Sequence, residues 1–165
     1  MKRLGLAMLF LCATAAAEDP YYRAPEKWVE GETTLPAFPK QENLLEAYVS
    51  AATSNHFFID GSSLSVGTDG VVRYVLVVKT AGGATNISFE GMRCSSVEYK
   101  LYATGRSDGT WGKARAEDWL RIENKAVNRH HAALYSDYFC PDRTPIANPE
   151  EGREALRLGK NRRAL

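Results

Sequence analysis

The feature that most constrains the fold is a run of short β-strand patterns, separated by glycine-containing turns, between residues 63 and 111. At its centre, Val71–Lys79 is apolar at alternate positions and partly apolar on its other face, which predicts an interior strand covered on both faces. Asp69-Gly70 precedes this strand and Gly82-Gly83 follows it, and both are turn sequences. The pattern therefore predicts an antiparallel sheet built from hairpins.

The neighbouring strands have one apolar and one polar face, which predicts their register. Residues 85–92 place Ile87 and Phe89 inside and Glu90 outside, and residues 97–103 alternate in the same way. Because a slip of one residue exchanges the two faces of a strand, we expect a single register. The predicted pairs are Val78 with Ile87, Leu76 with Phe89, Phe89 with Leu101, and Glu90 with Lys100.

Upstream and downstream patterns complete the predicted architecture. Residues 43–50 fit either a helix or a strand, and the strands that follow favour a strand. The further predicted elements are a strand at residues 57–59, a return strand from Thr110-Trp111, a helix beginning at residues 116–118, a helix over residues 128–139, and a terminal helix capped by Asn148. The prediction is an α+β domain with a twisted antiparallel sheet of about five or six strands, flanked on one side by two or three helices and carrying one disulfide.

Residues 1–17 have the pattern of a secretory signal peptide. A short basic segment precedes an apolar run, and small residues at Ala15 and Ala17 predict cleavage between Ala17 and Glu18. The apolar run is far shorter than the roughly 20 residues that span a bilayer. A lipoprotein anchored through Cys12 is disfavoured, because the bulky residues before that cysteine do not suit the lipoprotein peptidase. We expect a periplasmic or secreted protein.

Removal of this leader leaves two cysteines, Cys94 and Cys140. Exported proteins with an even number of cysteines usually form disulfides, and this pair would close a loop of 140 − 94 = 46 residues. The alternative, a redox or metal-binding pair, lacks CxxC spacing and flanking ligands. The sequence therefore predicts a structural disulfide that ties the end of the helix over residues 128–139 to the end of a hairpin.

The mature chain would hold 165 − 17 = 148 residues, enough for one domain with a substantial core. Without Lys2 and Arg3 it carries 19 basic and 20 acidic residues, so nothing in the charge points to nucleic acid. Residues 18–41 contain four prolines and form an extended N-terminal arm. Two interpretations of this arm stay open: a segment latched onto the domain by Trp28, Leu35 and Phe38, or a mobile linker. Residues 42–160 form the single domain and residues 161–165 a basic tail.

Three stretches of the chain resemble the CNP1-like family, small exported proteins of betaproteobacteria and their relatives. They are SLSVGTDGVVRYVLVVKTAGGATNISFEGMRC at residues 63–94, EYKLYATGRSDGTW at residues 98–111, and YFCP at residues 138–141. The similarity covers roughly residues 28–160. It implies an uncharacterised domain of the Gram-negative cell envelope, with no established catalytic residues to transfer onto this chain.

The candidate functional residues are those of the predicted polar face of the sheet: Arg73, Glu90, Glu98, Lys100 and Tyr102. This face either recognises a ligand or is an ordinary solvated surface with cross-strand ion pairs, and the second interpretation is preferred because an antiparallel sheet usually has one polar side. The partner would be an envelope protein or a cell-wall component.

Few residues point to catalysis. The chain has no GxSxG, GxxxxGK or GxGxxG motif, and it has three histidines, His56, His130 and His131. Neighbouring helical residues point about 100° apart, so His130 and His131 are not expected to share a metal; His131 falls on the apolar helix face and His130 is expected to be exposed. We predict no metal and no cofactor. The first hypothesis is a non-catalytic binding or structural module, and the alternative is a small periplasmic hydrolase-like enzyme using Glu90 with a histidine.

Overall fold

The structure is a computed structural model, and it describes residues 27–116, 118–126 and 128–164. The predicted signal cleavage site at Ala17 and Glu18, and Cys12, lie outside the described residues. No helix in the described ranges is both long and apolar enough to cross a membrane.

In the part of the chain that the structure describes, eight antiparallel strands form one sheet, and six of them are neighbours in the order β1-β2-β4-β5-β6-β7. The short strand β3 pairs with β4, and β8 pairs with β6. The strands are β1 (Leu44–Ala47), β2 (His56–Asp60), β3 (Ser65–Val66), β4 (Val71–Lys79), β5 (Thr85–Arg93), β6 (Glu98–Gly105), β7 (Trp111–Lys113) and β8 (Leu120–Arg121). The predicted hairpins around β4 are confirmed, as is the preference for a strand at β1.

The predicted register is wrong by one residue. Ile87 pairs with Val77 and Phe89 pairs with Val75. The cause is the β4–β5 connection, a five-residue loop in which the Thr80 N–H donates to the carbonyl oxygen of Ala84, 2.9 Å away. The β5–β6 register also differs, with Glu90 opposite Leu101, Gly91 opposite Lys100, and an irregularity between Phe89 and Glu90.

This register gives the sheet two apolar faces. On the helix side, residues of β4 and β5 such as Tyr74, Leu76 and Met92 belong to the main core. On the other side, which we call the arm side, a smaller cluster contains Val75, Val77, Phe89 and Ala103. Ile87 and Phe89 of β5 therefore face the arm side, and Ser88 and Glu90 face the helices together with Met92.

Among the described residues, the α-helices α1 (Arg129–Ala133) and α2 (Pro149–Leu158) cover part of the helix side. Helix α1 continues into a π-helical segment, Leu134–Phe139. Helix α2 begins as predicted, because Asn148 Oδ1 accepts a hydrogen bond from the Glu151 N–H at 3.0 Å. The helix predicted to begin at residues 116–118 is wrong, since Leu120 and Arg121 pair with β6 as a strand. The α+β class is confirmed.

The predicted Cys94–Cys140 disulfide is present, with 5.3 Å between the two Cα atoms. Cys94 directly follows β5, and Cys140 directly follows the π-helical segment. Both cysteines are buried in the main core. The bond therefore joins the sheet to the helical layer.

Candidate functional site

The predicted polar face divides between the two sides of the sheet. Arg73, Glu98, Lys100 and Tyr102 lie on the arm side, whereas Glu90 lies on the helix side, opposite Tyr74. The prediction of one shared face is therefore corrected for Glu90, and the one-residue difference in register is the reason. The other four are covered or bordered by residues 27–40 of the N-terminal arm.

Glu30 of the arm is bound by three donors from the domain. Its carboxylate accepts hydrogen bonds from Lys100 Nζ at 2.9 Å, the Tyr102 hydroxyl at 2.8 Å and Trp119 Nε1 at 3.3 Å. Partial burial alone would raise the pKa of this carboxyl, but the bonds from Lys100 and Tyr102 outweigh it and lower the pKa. Glu30 is therefore held ionised at the centre of the arm-side site.

Trp28 lies beside this carboxylate in an aromatic and cationic pocket. Its indole ring meets Trp119 edge to face, with 5.7 Å between ring centroids, and the Arg93 guanidinium lies 4.2 Å from the Trp28 centroid. The Trp28 Nε1–H donates to the carbonyl oxygen of Asp69 at 2.8 Å. Arg93 is oriented in turn by Glu98, with 3.0 Å between guanidinium nitrogen and carboxylate oxygen.

Asp69 and Arg73 hold the next part of the arm. The Gly31 N–H donates to Asp69 Oδ2 at 2.8 Å, and Arg73 Nε donates to Thr33 Oγ1 at 3.0 Å. Asp69 and Arg73 also pair with each other at 2.6 Å, and both side chains are almost fully buried. Burial opposes ionisation of Asp69, but the hydrogen bonds from Arg73, Gly31 and Val71 prevail and lower its pKa to about 2.

On the helix side, Glu90 is buried and receives three hydrogen bonds. Ser88 Oγ donates to its Oε1 at 2.6 Å, and the Tyr74 hydroxyl donates to its Oε2 at 3.1 Å. His131 Nε2 lies 2.9 Å from the same Oε2. Burial alone would raise the pKa of Glu90, but the charge and hydrogen bond of His131 lower it. The carboxylate therefore has a donor on each oxygen.

His131 is enclosed by aromatic rings. Tyr99 stacks on it at a centroid distance of 3.7 Å, and the His130 ring lies 4.1 Å away. Its Nδ1 is buried and has no hydrogen-bond partner among the residues that the structure describes. The predicted exposure of His130 is wrong: it is half-buried and stacks on Phe57, because α1 lies against the end of the sheet. Burial lowers the pKa of His130 to about 4.

Beside this pair a groove runs along β6. One cavity of about 330 Å³ is lined by Glu90, Ser88 and His131 among others. A second cavity of about 450 Å³ extends it past Leu120. Both are floored by the same three residues of β6, namely Tyr99, Leu101 and Thr104. The groove is large enough for a small molecule.

The third histidine is remote from both places. His56 Nδ1 pairs with Glu46 at 3.0 Å, and both side chains are more than half exposed. Within residues 27–116, 118–126 and 128–164, no group of three or more His, Cys, Asp or Glu side chains is arranged to hold a metal ion.

The sequence model of the CNP1-like family matches residues 23–157 of the 165-residue chain. The chain belongs to the CNP1-like family. No curated protein and no solved structure matches it significantly. The CNP1-like match includes the arm residues that lie on the sheet as well as the strands that the sequence motifs identified. It extends to α2 and so includes both halves of the disulfide.

Trp28 contacts the domain, as the latched-arm interpretation expected, but Glu30, Asp69, Arg93 and Trp119 were not predicted as parts of this site. Glu30 was missed because a proline-rich arm has no periodicity that would place it on the sheet. Asp69 was assigned only to a turn, although an aspartate two residues before a strand can also cap backbone N–H groups, as it does for Val71 at 3.1 Å. The one available signal was a tryptophan and a glutamate, two residues apart, in an otherwise extended segment.

Proposed function

We propose that this CNP1-like domain is an exported component of the Gram-negative cell envelope that binds a partner and performs no chemistry. The signal-peptide pattern of residues 1–17 supports export. The Cys94–Cys140 disulfide supports an oxidising compartment, because disulfides persist there and are rare in the cytosol. The arm-side site supports binding, since it holds a carboxylate and an indole ring with charged and aromatic side chains.

One observation supports the non-catalytic part of the proposal: the polar atoms of Glu90 and His131 are either hydrogen-bonded within the protein or buried. A general base needs an atom that can reach the proton of a substrate. Here both oxygens of Glu90 are engaged, His131 Nε2 is bound to Glu90, and His131 Nδ1 is buried. Ser88 donates its hydroxyl hydrogen to Glu90, so it lacks the histidine partner of an activated nucleophile.

The second candidate is a small enzyme using Glu90 with His131. One observation favours it: the carboxylate and the imidazole lie 2.9 Å apart, and both line the cavity of about 330 Å³. It ranks second because Glu90 and His131 are each only 5% exposed. Catalysis would require the pair to open toward the cavity when a substrate binds.

Export is tested by expressing the full chain in a Gram-negative host and releasing the periplasm by osmotic shock. Intact mass under non-reducing conditions should show a chain that begins at Glu18 and is lighter by two hydrogen atoms than the reduced form. An uncleaved cytoplasmic chain, or an acylated Cys12, would contradict export.

Catalysis is tested on the same purified protein with panels of ester, phosphate, glycoside and peptide substrates. We expect no turnover. Turnover that disappears in both Glu90→Gln and His131→Gln, while the circular dichroism of each variant stays native, would replace the proposal with the enzyme candidate.

A further inference from the structure

The segment Trp28-Val29-Glu30-Gly31 contacts the domain as a bound peptide does. Alternate side chains, Trp28 and Glu30, point into the site, and Val29 between them is 76% exposed. Two hydrogen bonds to Asp69 hold the segment, one from the Trp28 indole and one from the Gly31 backbone N–H. This arrangement of pockets for alternate residues is typical of extended-peptide recognition.

The arm is joined to the fold through side chains, among them Glu30 on Lys100 and the Trp111 indole on the Pro36 carbonyl, and by no backbone ladder. Residues 27–40 contain no regular secondary structure, so they share no hydrogen-bonded ladder with the sheet. Leu35, in the middle of the arm, is 56% exposed, and Trp28 is 36% exposed. Segments that share few backbone hydrogen bonds with the rest of a fold open locally without unfolding the domain. The arm can therefore leave its site while the disulfide-linked core stays folded.

The domain side of the site has a surplus of positive charge once the arm is set aside. Arg73, Arg93 and Lys100 face two carboxylates, Asp69 and Glu98. Glu30 supplies the missing negative charge, and its Lys100 ion pair is mostly buried, with side-chain exposures of 15% for Lys100 and 24% for Glu30. A buried cation without a carboxylate is unfavourable, so the empty site selects a ligand that carries one.

We propose that the arm is a tethered, displaceable occupant, and that the site it covers binds an extended peptide segment of a partner protein with an aromatic side chain followed two residues later by a carboxylate. The aromatic ring would take the place of Trp28 between Trp119 and Arg93. The carboxylate would take the place of Glu30 on Lys100, Tyr102 and Trp119. This inference rests on the proposed binding function and names its site and partner chemistry.

Tethering sets how strongly the arm competes. A short flexible tether gives an effective concentration in the millimolar range. A free peptide with the same intrinsic affinity must exceed that concentration to displace the arm. Weakening the arm at Glu30 therefore tightens the apparent binding of a free peptide, because charge-assisted hydrogen bonds are the strongest contacts that the arm makes.

The probe is a fluorescent peptide with the sequence KWVEGETT, residues 27–34 of this chain, titrated against the full chain by anisotropy. The variant Glu30→Gln should bind it at least about tenfold more tightly than the wild type, because the weakened arm competes less with the free peptide. A tenfold change equals about 1.4 kcal/mol. Glu32→Gln is the matched control, because Glu32 carries the same charge in the same arm but is exposed. It should bind like the wild type. A second peptide, with glutamine in place of the glutamate at position 30, should lose the binding to Glu30→Gln.

A second measurement does not depend on a variant. Hydrogen exchange of the wild type at saturating peptide should become faster at residues 27–34 and stay unchanged in β4 and β5. If the peptide binds neither protein, or binds Glu30→Gln and Glu32→Gln equally, or leaves exchange of the arm unchanged, the arm is a fixed part of the fold and the inference fails. Those results would leave export and the absence of catalysis untouched, since mass and turnover test them separately.

Discussion

His131 Nε2 lies 2.9 Å from Glu90 Oε2 inside the domain, where each residue is 5% exposed. The same pair of residue types recurs on the surface, where His56 Nδ1 lies 3.0 Å from Glu46 Oε1. The two pairs have nearly the same length and differ in burial. Burial decides how much stability is lost when one partner is removed. Water can replace the lost partner of an exposed pair, whereas buried groups have only protein partners.

The first prediction compares these two pairs. Glu90→Ala leaves the buried donors of Tyr74, Ser88 and His131 without their acceptor. It should lower the free energy of unfolding by about 3–5 kcal/mol. Glu46→Ala removes the exposed counterpart and should change it by less than about 1 kcal/mol. Urea denaturation followed by circular dichroism measures both. Equal effects would mean that Glu90 is as well solvated as Glu46, which contradicts its burial.

The second prediction concerns acid. Because the folded domain lowers the pKa of His130 from 6.5 to about 4, the unfolded chain takes up the proton first as the pH falls. The contribution of His130 to the free energy of unfolding is therefore greatest above about pH 6.5 and falls progressively between pH 6.5 and 4. This lowering of the His130 pKa corresponds to about 3 kcal/mol of the free energy of unfolding. His131 and Glu90 are the ionisable groups that act on His130.

The test is the slope of stability against pH in the wild type and in His130→Phe, which keeps a ring to stack on Phe57. The variant should show a smaller loss of stability between pH 6.5 and 5. His56→Gln removes an exposed histidine and should keep the slope of the wild type. An unchanged slope in His130→Phe would contradict the burial of that imidazole.

The sequence predicted the strands well because their turns carry strong local signals. Asp69-Gly70 and Gly82-Gly83 bound β4, and alternation marks β6. The register could not be predicted from the sequence, because it depends on the size of the β4–β5 loop and on the second apolar face of the sheet. The prediction assumed that Ile87 and Phe89 face the main core, whereas they belong to a separate apolar cluster on the arm side of the sheet.

That difference in register explains why the candidate site was only partly predicted. Lys100 and Tyr102 were assigned to a polar face and do form one, but their ligand is Glu30, about 70 residues away in sequence. Glu90 was assigned to the same face and instead lies in the core with His131. No periodic pattern encodes either contact, because both join a strand to an element whose position depends on the tertiary fold.

The third prediction concerns the disulfide. Cys94→Ala with Cys140→Ala opens a loop of 46 residues, which in the chain-entropy model costs about 4 kcal/mol of stability. We expect a native far-ultraviolet spectrum and a lower melting temperature, measured against reduced wild type as the control. The double variant and the reduced wild type should melt at similar temperatures. If the oxidised wild type has the same melting temperature as these two forms, the disulfide adds no stability.

The fourth prediction sets helix propensity against packing at Gly152, in the middle of α2. Propensity alone favours Gly152→Ala by about 1 kcal/mol. A Cβ atom there would lie 2.5 Å from Leu64 Cδ2 and 2.7 Å from Ile146 Cδ1, and both side chains are buried in the main core. Overpacking a core typically costs about 1–3 kcal/mol, so we expect Gly152→Ala to destabilise the domain.

The test is a double-mutant cycle with Leu64→Ala, measured by urea denaturation. Leu64→Ala removes one of the two obstructing methyl groups, so Gly152→Ala should cost less stability in that background. A net stabilisation by Gly152→Ala in the wild type would show that α2 shifts away from the sheet without penalty.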